Sequence, residues 1–185
     1  LGVELKGKTL ALIGAGRIGS SVALRCQAFD MDVVVFDPYL TPARAAEIGA
    51  ELVGLDEAVE RGDFVSIHVP LNAETRGMID ESVLGQMKPS SFLINVSRGG
   101  IVDETALAKA LHNGRIAGAA LDVYEIEPLP MNSPLRAAPN LVMTPHLGAA
   151  TVEAQIGVAT EVAEKIRVFF DTGSFADAVN AADLL

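Results

Sequence analysis

Three side chains of complementary chemistry follow separate apolar runs: the guanidinium of Arg98, the carboxylate of Glu127 and the imidazole of His146. A planar guanidinium grips a carboxylate with two parallel hydrogen bonds and polarises a carbonyl beside it, which a lysine ammonium does poorly. An imidazole can give and take a proton near neutral pH. A carboxylate beside that ring stabilises imidazolium and orients it. The set suits reduction of a 2-oxo acid, where arriving hydride leaves alkoxide charge on the carbonyl oxygen and an acid must supply a proton. Taken singly, each residue also fits a structural role: Arg98 as a salt bridge between loops, Glu127 as a solvated loop acid, His146 as a satisfied turn histidine.

A source of hydride is suggested upstream. Gly14-Ala15-Gly16-Arg17-Ile18-Gly19 lies directly behind the apolar run Thr9 to Ile13, and Asp37 closes the next apolar run, Val33 to Phe36. In a strand-turn-helix reading Gly14 permits the tight turn, Gly16 lets a pyrophosphate approach the backbone, and Gly19 lets the helix lie close to the strand. The N–H groups opening that helix face the phosphates. Asp37, eighteen residues beyond Gly19, is placed to accept hydrogen bonds from an adenosine ribose. It favours NAD over NADP, because a 2′-phosphate would be repelled there and Pro38-Tyr39-Leu40 offers no arginine.

The elements that must position these groups alternate between β-branched runs and helical patterns, which implies repeated βαβ units and an α/β, Rossmann-like doubly wound parallel sheet. Strands are predicted near 9–13, 32–36, 64–68, 91–96, 116–121 and 141–143, with a short one around 51–53. Helices are predicted over 16–29, 41–48, 55–61, 81–86, 104–113 and 151–171. Asp103 reads as an N-cap and Gly114 as a helix stop. Ligands of such sheets sit beyond the carboxyl ends of the strands. There the segments 68–70, 95–100, 122–128 and 144–148 converge. Residues 125–140, with four prolines, read as a long irregular connection.

At 185 residues, half of them hydrophobic, the chain has material for one substantial core. The net charge of −10 argues against a nucleic-acid surface. Every apolar run falls short of the roughly 20 residues that span a bilayer, and no signal peptide is expected from the opening residues. The single cysteine, Cys26, excludes an internal disulfide, fits a reducing, cytoplasmic compartment, and reads as helix packing. His112 reads as a solvated residue at a helix end, and His68 either lines the cleft or packs. The scattered histidines indicate no metal site. The chain opens on Leu1 and reaches the glycine fingerprint almost at once, as an excerpt of a longer protein would.

At these residues the sequence resembles the NAD-binding domain of the D-isomer-specific 2-hydroxyacid dehydrogenases over nearly its whole length. The matching stretches are Leu5-Lys6-Gly7-Lys8-Thr9 with the glycine fingerprint, His68-Val69-Pro70-Leu71, Glu74-Thr75, Asn95 to Gly100, Asp122-Val123-Tyr124 through Glu127-Pro128, and Thr144-Pro145-His146. Gly148 to Gln155 and the closing Ala178-Val179-Asn180 look most like the branch that acts on 3-phosphoglycerate. The resemblance implies that Arg98 binds the substrate carboxylate, His146 is the acid/base and Glu127 its partner. It implies that Arg17 and Ile18 meet the pyrophosphate and Asp37 the ribose, with Val69, Pro70 and Thr75 along the cofactor's flank. Val96 and Ser97 would pass along the nicotinamide, Asp122 would hold its carboxamide, and Arg98, His146 and Gly148 would complete the cleft.

The same resemblance implies a second, substrate-binding domain that 1–185 lacks, a homodimer formed through the nucleotide domain, and a small 2-hydroxy or 2-oxo acid as substrate. Hydroxypyruvate, glyoxylate and D-lactate stand beside 3-phosphoglycerate. Two other classes remain open. One is an NADH-sensing, corepressor-like binding module. The other is a cofactor-retaining hydrolase of the adenosylhomocysteine type, which would not need the Arg, Glu and His set.

Overall fold

The run Leu10–Ile13 is buried at every position, so it must be covered on both faces, as the interior strand of a parallel sheet is. The computed structural model describes residues 2–175 and Ala178; Leu1, Val179 and Asn180, named above, lie outside the described residues. Its seven strands are β1 (Thr9–Ile13), β2 (Asp32–Phe36), β3 (Glu51–Leu52), β4 (Phe64–Ile67), β5 (Phe92–Asn95), β6 (Gly118–Leu121) and β7 (Leu141–Met143). All pair in parallel in the order β3-β2-β1-β4-β5-β6-β7, so the winding reverses between β1 and β4.

Side chains alternate across this sheet with period two. Ala11, Ile13 and Val34 join the larger core cluster, which also takes in Leu84, Leu107 and Leu111 from the helices of that face. Leu10, Leu12, Val33 and Val35 join Ala23 and Ala45 on the other. The helices are α1 (Arg17–Gln27), α2 (Pro42–Glu47), α3 (Leu55–Arg61), α4 (Glu81–Gln86), α5 (Glu104–His112) and α6 (Val152–Thr172). Short polar caps start several of them: Thr41, Asp80 and Asp103 accept the N–H groups of Arg44, Val83 and Ala106. Gly114, at φ 63°, follows α5 as its stop.

The predicted elements are all present, with ends that coincide or shift by at most two residues. His68 and Ile116 lie outside their strands, although His68 N still donates to Ile13 O at 2.7 Å. The proline-rich connection differs more. It contains a 3-10 turn at Pro134–Ala137, started by the Ser133 hydroxyl and anchored by the fully buried Leu135. A proline at the first position needs no N–H, so the prolines that exclude an α-helix permit this turn.

The chain divides into two compact units, Leu1–His146 and Leu147–Leu185. The first holds the sheet and five helices. The second contains α6, which begins at a Thr151 side-chain cap and ends at Gly173 in the left-handed conformation. Among the described residues no helix is long and apolar enough to cross a membrane.

Candidate active site

At the carboxyl end of β1 the chain must turn sharply into α1. Gly14 has φ 96°, and a Cβ there would lie 2.8 Å from His68 O, so both conformation and space call for glycine. A Cβ on Gly19 would lie 2.3 Å from Gly14 O, which is the close helix-to-turn approach expected of that position. Gly16 is different: nothing lies within 4 Å of where its Cβ would be. It opens α1 without a side-chain cap, leaving the first helical N–H groups to another acceptor. This open backbone cradle at a helix N-terminus fits a pyrophosphate. Arg17 and Ile18 flank it, both exposed.

Asp37 is tied into the same turn. Its Oδ2 accepts from Ala15 N and its Oδ1 from Tyr39 N, each at 2.9 Å. An ionised carboxylate accepts about four hydrogen bonds, so capacity for a ribose remains. Across the winding reversal, after β4, Val69 is half-buried and Pro70 exposed. Thr75 is buried, and its hydroxyl donates to Pro70 O at 2.6 Å while accepting from Asn72 N at 2.9 Å. Thr75 thus acts on this flank by closing the loop. His68 is half-buried with Nε2 at 2.9 Å from Ser66 Oγ. Burial pushes its pKa down, which favours the neutral ring.

The loop after β5 is shaped by Asn95, whose Oδ1 accepts from Ser97 N and Oγ and whose Nδ2 donates to Arg98 O at 2.9 Å. Val96 and Arg98 are exposed on it and Ser97 is half-buried. Arg98 Nη1 donates to Ser97 O at 2.7 Å, one of the guanidinium's five N–H groups. After β6, the buried Asp122 accepts from the Thr144 hydroxyl.

Glu127 and His146 meet directly, with His146 Nδ1 2.8 Å from Glu127 Oε2. Glu127 Oε1 accepts from Tyr124 N at 3.0 Å. The hydrogen bond from His146, then the Tyr124 N–H, hold the Glu127 carboxyl below the usual carboxylate range. An ionised Glu127 can only accept, so Nδ1 carries the proton of the neutral ring and Nε2 is left to exchange one. The side chains of His146 and Glu127 are 48% and 36% exposed, enough for a substrate to reach the ring. His146 sits at φ 57°, a left-handed conformation that is rare for a non-glycine residue and that clusters at functional sites.

The residues expected at the carboxyl edge thus follow β1, β2, β4, β5, β6 and β7 of one parallel sheet. Gly148 belongs to the second unit. The sequence reading passed over Asn95, Gly99, Glu104, Tyr124 and Thr144, which brace the loops. Asn95, Gly99, Tyr124 and Thr144 fell inside the motifs already quoted; Asn95 braces its own loop through Ser97 and Arg98, whereas the contacts of Gly99 with Tyr124 and of Tyr124 with Thr144 join residues distant in sequence. Among the described residues no cluster of three or more His, Cys, Asp or Glu could hold a metal ion.

Residues 1–148 match the family model described as D-isomer specific 2-hydroxyacid dehydrogenase, NAD binding domain. The chain belongs to that family. NAD is the cofactor of this domain. Among curated relatives, the chain is 48% identical to the D-3-phosphoglycerate dehydrogenase of Mycobacterium tuberculosis over 179 residues, 97% of this chain and 34% of that protein. It is 48% identical to the Bacillus subtilis enzyme of the same name over 91% of this chain and 32% of that protein. The chain therefore spans about a third of the length of these relatives. Among solved structures, a glyoxylate reductase from Paecilomyes thermophila superposes with a TM-score of 0.86 at 36% identity, covering 94% of this chain and 52% of that one. The NAD-complexed D-isomer specific 2-hydroxyacid dehydrogenase from Lactobacillus delbrueckii gives 0.81 at 33% identity, covering 94% and 56%.

Proposed function

We propose that this chain is the NAD-binding part of a longer two-domain enzyme that interconverts a D-2-hydroxy acid and its 2-oxo acid, with 3-phosphoglycerate as the favoured hydroxy acid. The observation that carries the reading is the 2.8 Å contact between Glu127 and His146, on the sheet edge that also carries the glycine turn and Arg98. Relatives of the same name at 48% identity favour the 3-phosphoglycerate assignment over hydroxypyruvate, glyoxylate and D-lactate.

Bound NAD supplies the hydride acceptor and NADH the donor. Arg98 would grip the substrate carboxylate and orient the reacting carbon. His146 would donate its Nε2 proton to the carbonyl oxygen in reduction and withdraw it in oxidation, with Glu127 steadying the charged ring through Nδ1. Gly14, Gly16, Arg17, Ile18 and Gly19 would receive the pyrophosphate and Asp37 the ribose. Val69, Pro70 and the loop closed by Thr75 would line the flank, while Val96, Ser97 and Asp122 would complete the nicotinamide side.

The enzyme would pair as a homodimer through this domain and work in the cytoplasm, where the half-buried Cys26 stays reduced. Assay of the complete enzyme with NADH and a panel of 2-oxo acids tests the reading. Arg98→Ala and His146→Ala should each lower turnover by at least about 100-fold while NADH still binds. Undiminished turnover in both variants would refute it. The isolated chain should bind NADH yet turn over poorly, because a substrate held from one side stays exposed to water. Turnover equal to that of the complete enzyme would count against a two-domain cleft.

A further inference from the structure

Arg98, Glu127 and His146 leave three different strands, so nothing local to any one loop sets the spacing among them. The Tyr124–Glu125 segment touches all three loops. Tyr124 N–H holds Glu127 Oε1, and the Tyr124 hydroxyl donates to Thr144 O at 2.9 Å, two residues before His146. The Tyr124 carbonyl rests on Gly99, the residue after Arg98, so closely that a Cβ there would lie 1.7 Å from its oxygen. Gly99 is not among the glycines with positive φ, so what it supplies is room. Glu125 N–H donates to Glu104 Oε1 at 2.7 Å. Asp103 already caps α5, so Glu104 is free to reach out of its helix to the β6 loop. Burial of Glu104 pushes its carboxyl up, against the pull of that N–H.

We propose that Gly99 and Glu104 are positioning residues that seat the Tyr124–Glu125 peptide and so fix Arg98 relative to the Glu127–His146 pair. The inference rests on the reading of those three as the reacting groups. Real Cβ atoms stay beyond 3.0 Å of such neighbours, so a methyl on Gly99 must part the two loops by more than 1 Å. A misplacement of that size costs on the order of 100-fold in rate.

The test uses the complete enzyme. Gly99→Ala should lower kcat/KM for the 2-oxo acid by about 100-fold, with the NADH dissociation constant within about threefold of the parent's. Glu104→Ala should lose about tenfold, and Glu104→Gln, which keeps an acceptor oxygen, should recover most of that. Because an absent guanidinium cannot be misplaced, adding Gly99→Ala to Arg98→Ala should cost less than about threefold beyond Arg98→Ala alone. Parent-like kcat/KM in Gly99→Ala, an equal loss of NADH affinity, multiplying losses in the double variant, or no recovery by glutamine would each overturn the proposal. Undiminished turnover in both Arg98→Ala and His146→Ala would instead refute the assignment of the reacting groups, and this inference with it. Full loss there beside normal turnover in Gly99→Ala and Glu104→Ala would refute this inference alone.

Discussion

Asp37 is expected to do more for this domain than contact a ribose. Its two oxygens accept N–H groups from Ala15, in the glycine turn, and from Tyr39, in its own loop, each at 2.9 Å. Ala15 is buried, so in Asp37→Ala its N–H loses its acceptor where water reaches it poorly, whereas the exposed Tyr39 can bond to solvent. A buried donor left unpaired costs about 1–3 kcal/mol, and hydrogen bonds to charged groups lie toward the upper end, so a loss of about 2 kcal/mol is expected. Asp37→Asn keeps one acceptor oxygen and should lose about half as much. With a urea dependence of about 2 kcal/mol per molar, the alanine midpoint should fall by about 1 M in the absence of nucleotide. Urea unfolding followed by circular dichroism reads this directly. An alanine midpoint within about 0.2 M of the parent would show that the carboxylate does not clamp the turn, and would refute the reasoning. The same argument applies to redesign toward NADP: a small neutral residue at 37 removes the repulsion of a 2′-phosphate but also loosens the turn.

Gly14→Ala should abolish measurable NAD binding in calorimetry, because the side chain meets His68 O and Val69 in a conformation with positive φ; binding within about tenfold of the parent would contradict this. Leu107→Ala, at a fully buried position of the larger core, should destabilise the domain by about 2–5 kcal/mol in the same urea assay. At Asp63, burial raises the carboxyl, but the Thr9 N–H, Lys88 at 2.9 Å and the field of Lys8 outweigh it and hold the group below its ordinary value. Its contribution is therefore present above the unfolded value of about pH 4 and is lost as pH falls through the lower folded value. Asp63→Asn should flatten that acid limb of stability, and an unchanged limb would exclude the assignment. Removing the imidazole in His146→Ala should move the Glu127 titration, followed by carboxyl carbon NMR, upward toward the ordinary glutamate value.

The sequence by itself determined the layered α/β architecture, because apolar runs buried on both faces and capped helices are local patterns that only a covered parallel sheet satisfies. It also located the glycine turn and the strand ends where Arg98, Glu127 and His146 stand, since chain order and parallel winding send all of them to one edge. The tertiary structure alone decided which of these groups touch. Glu127 and His146 meet because β6 and β7 are neighbours, and Gly99, the residue after Arg98, lies against the Tyr124 backbone of the β6 loop. That contact, the Glu104 hydrogen bond to Glu125 and the second use of Asp37 involve partners 21 to 25 residues apart. No periodicity or spacing encodes such pairs: they exist only once the loops are packed, where a missing Cβ or a single N–H sets the distance.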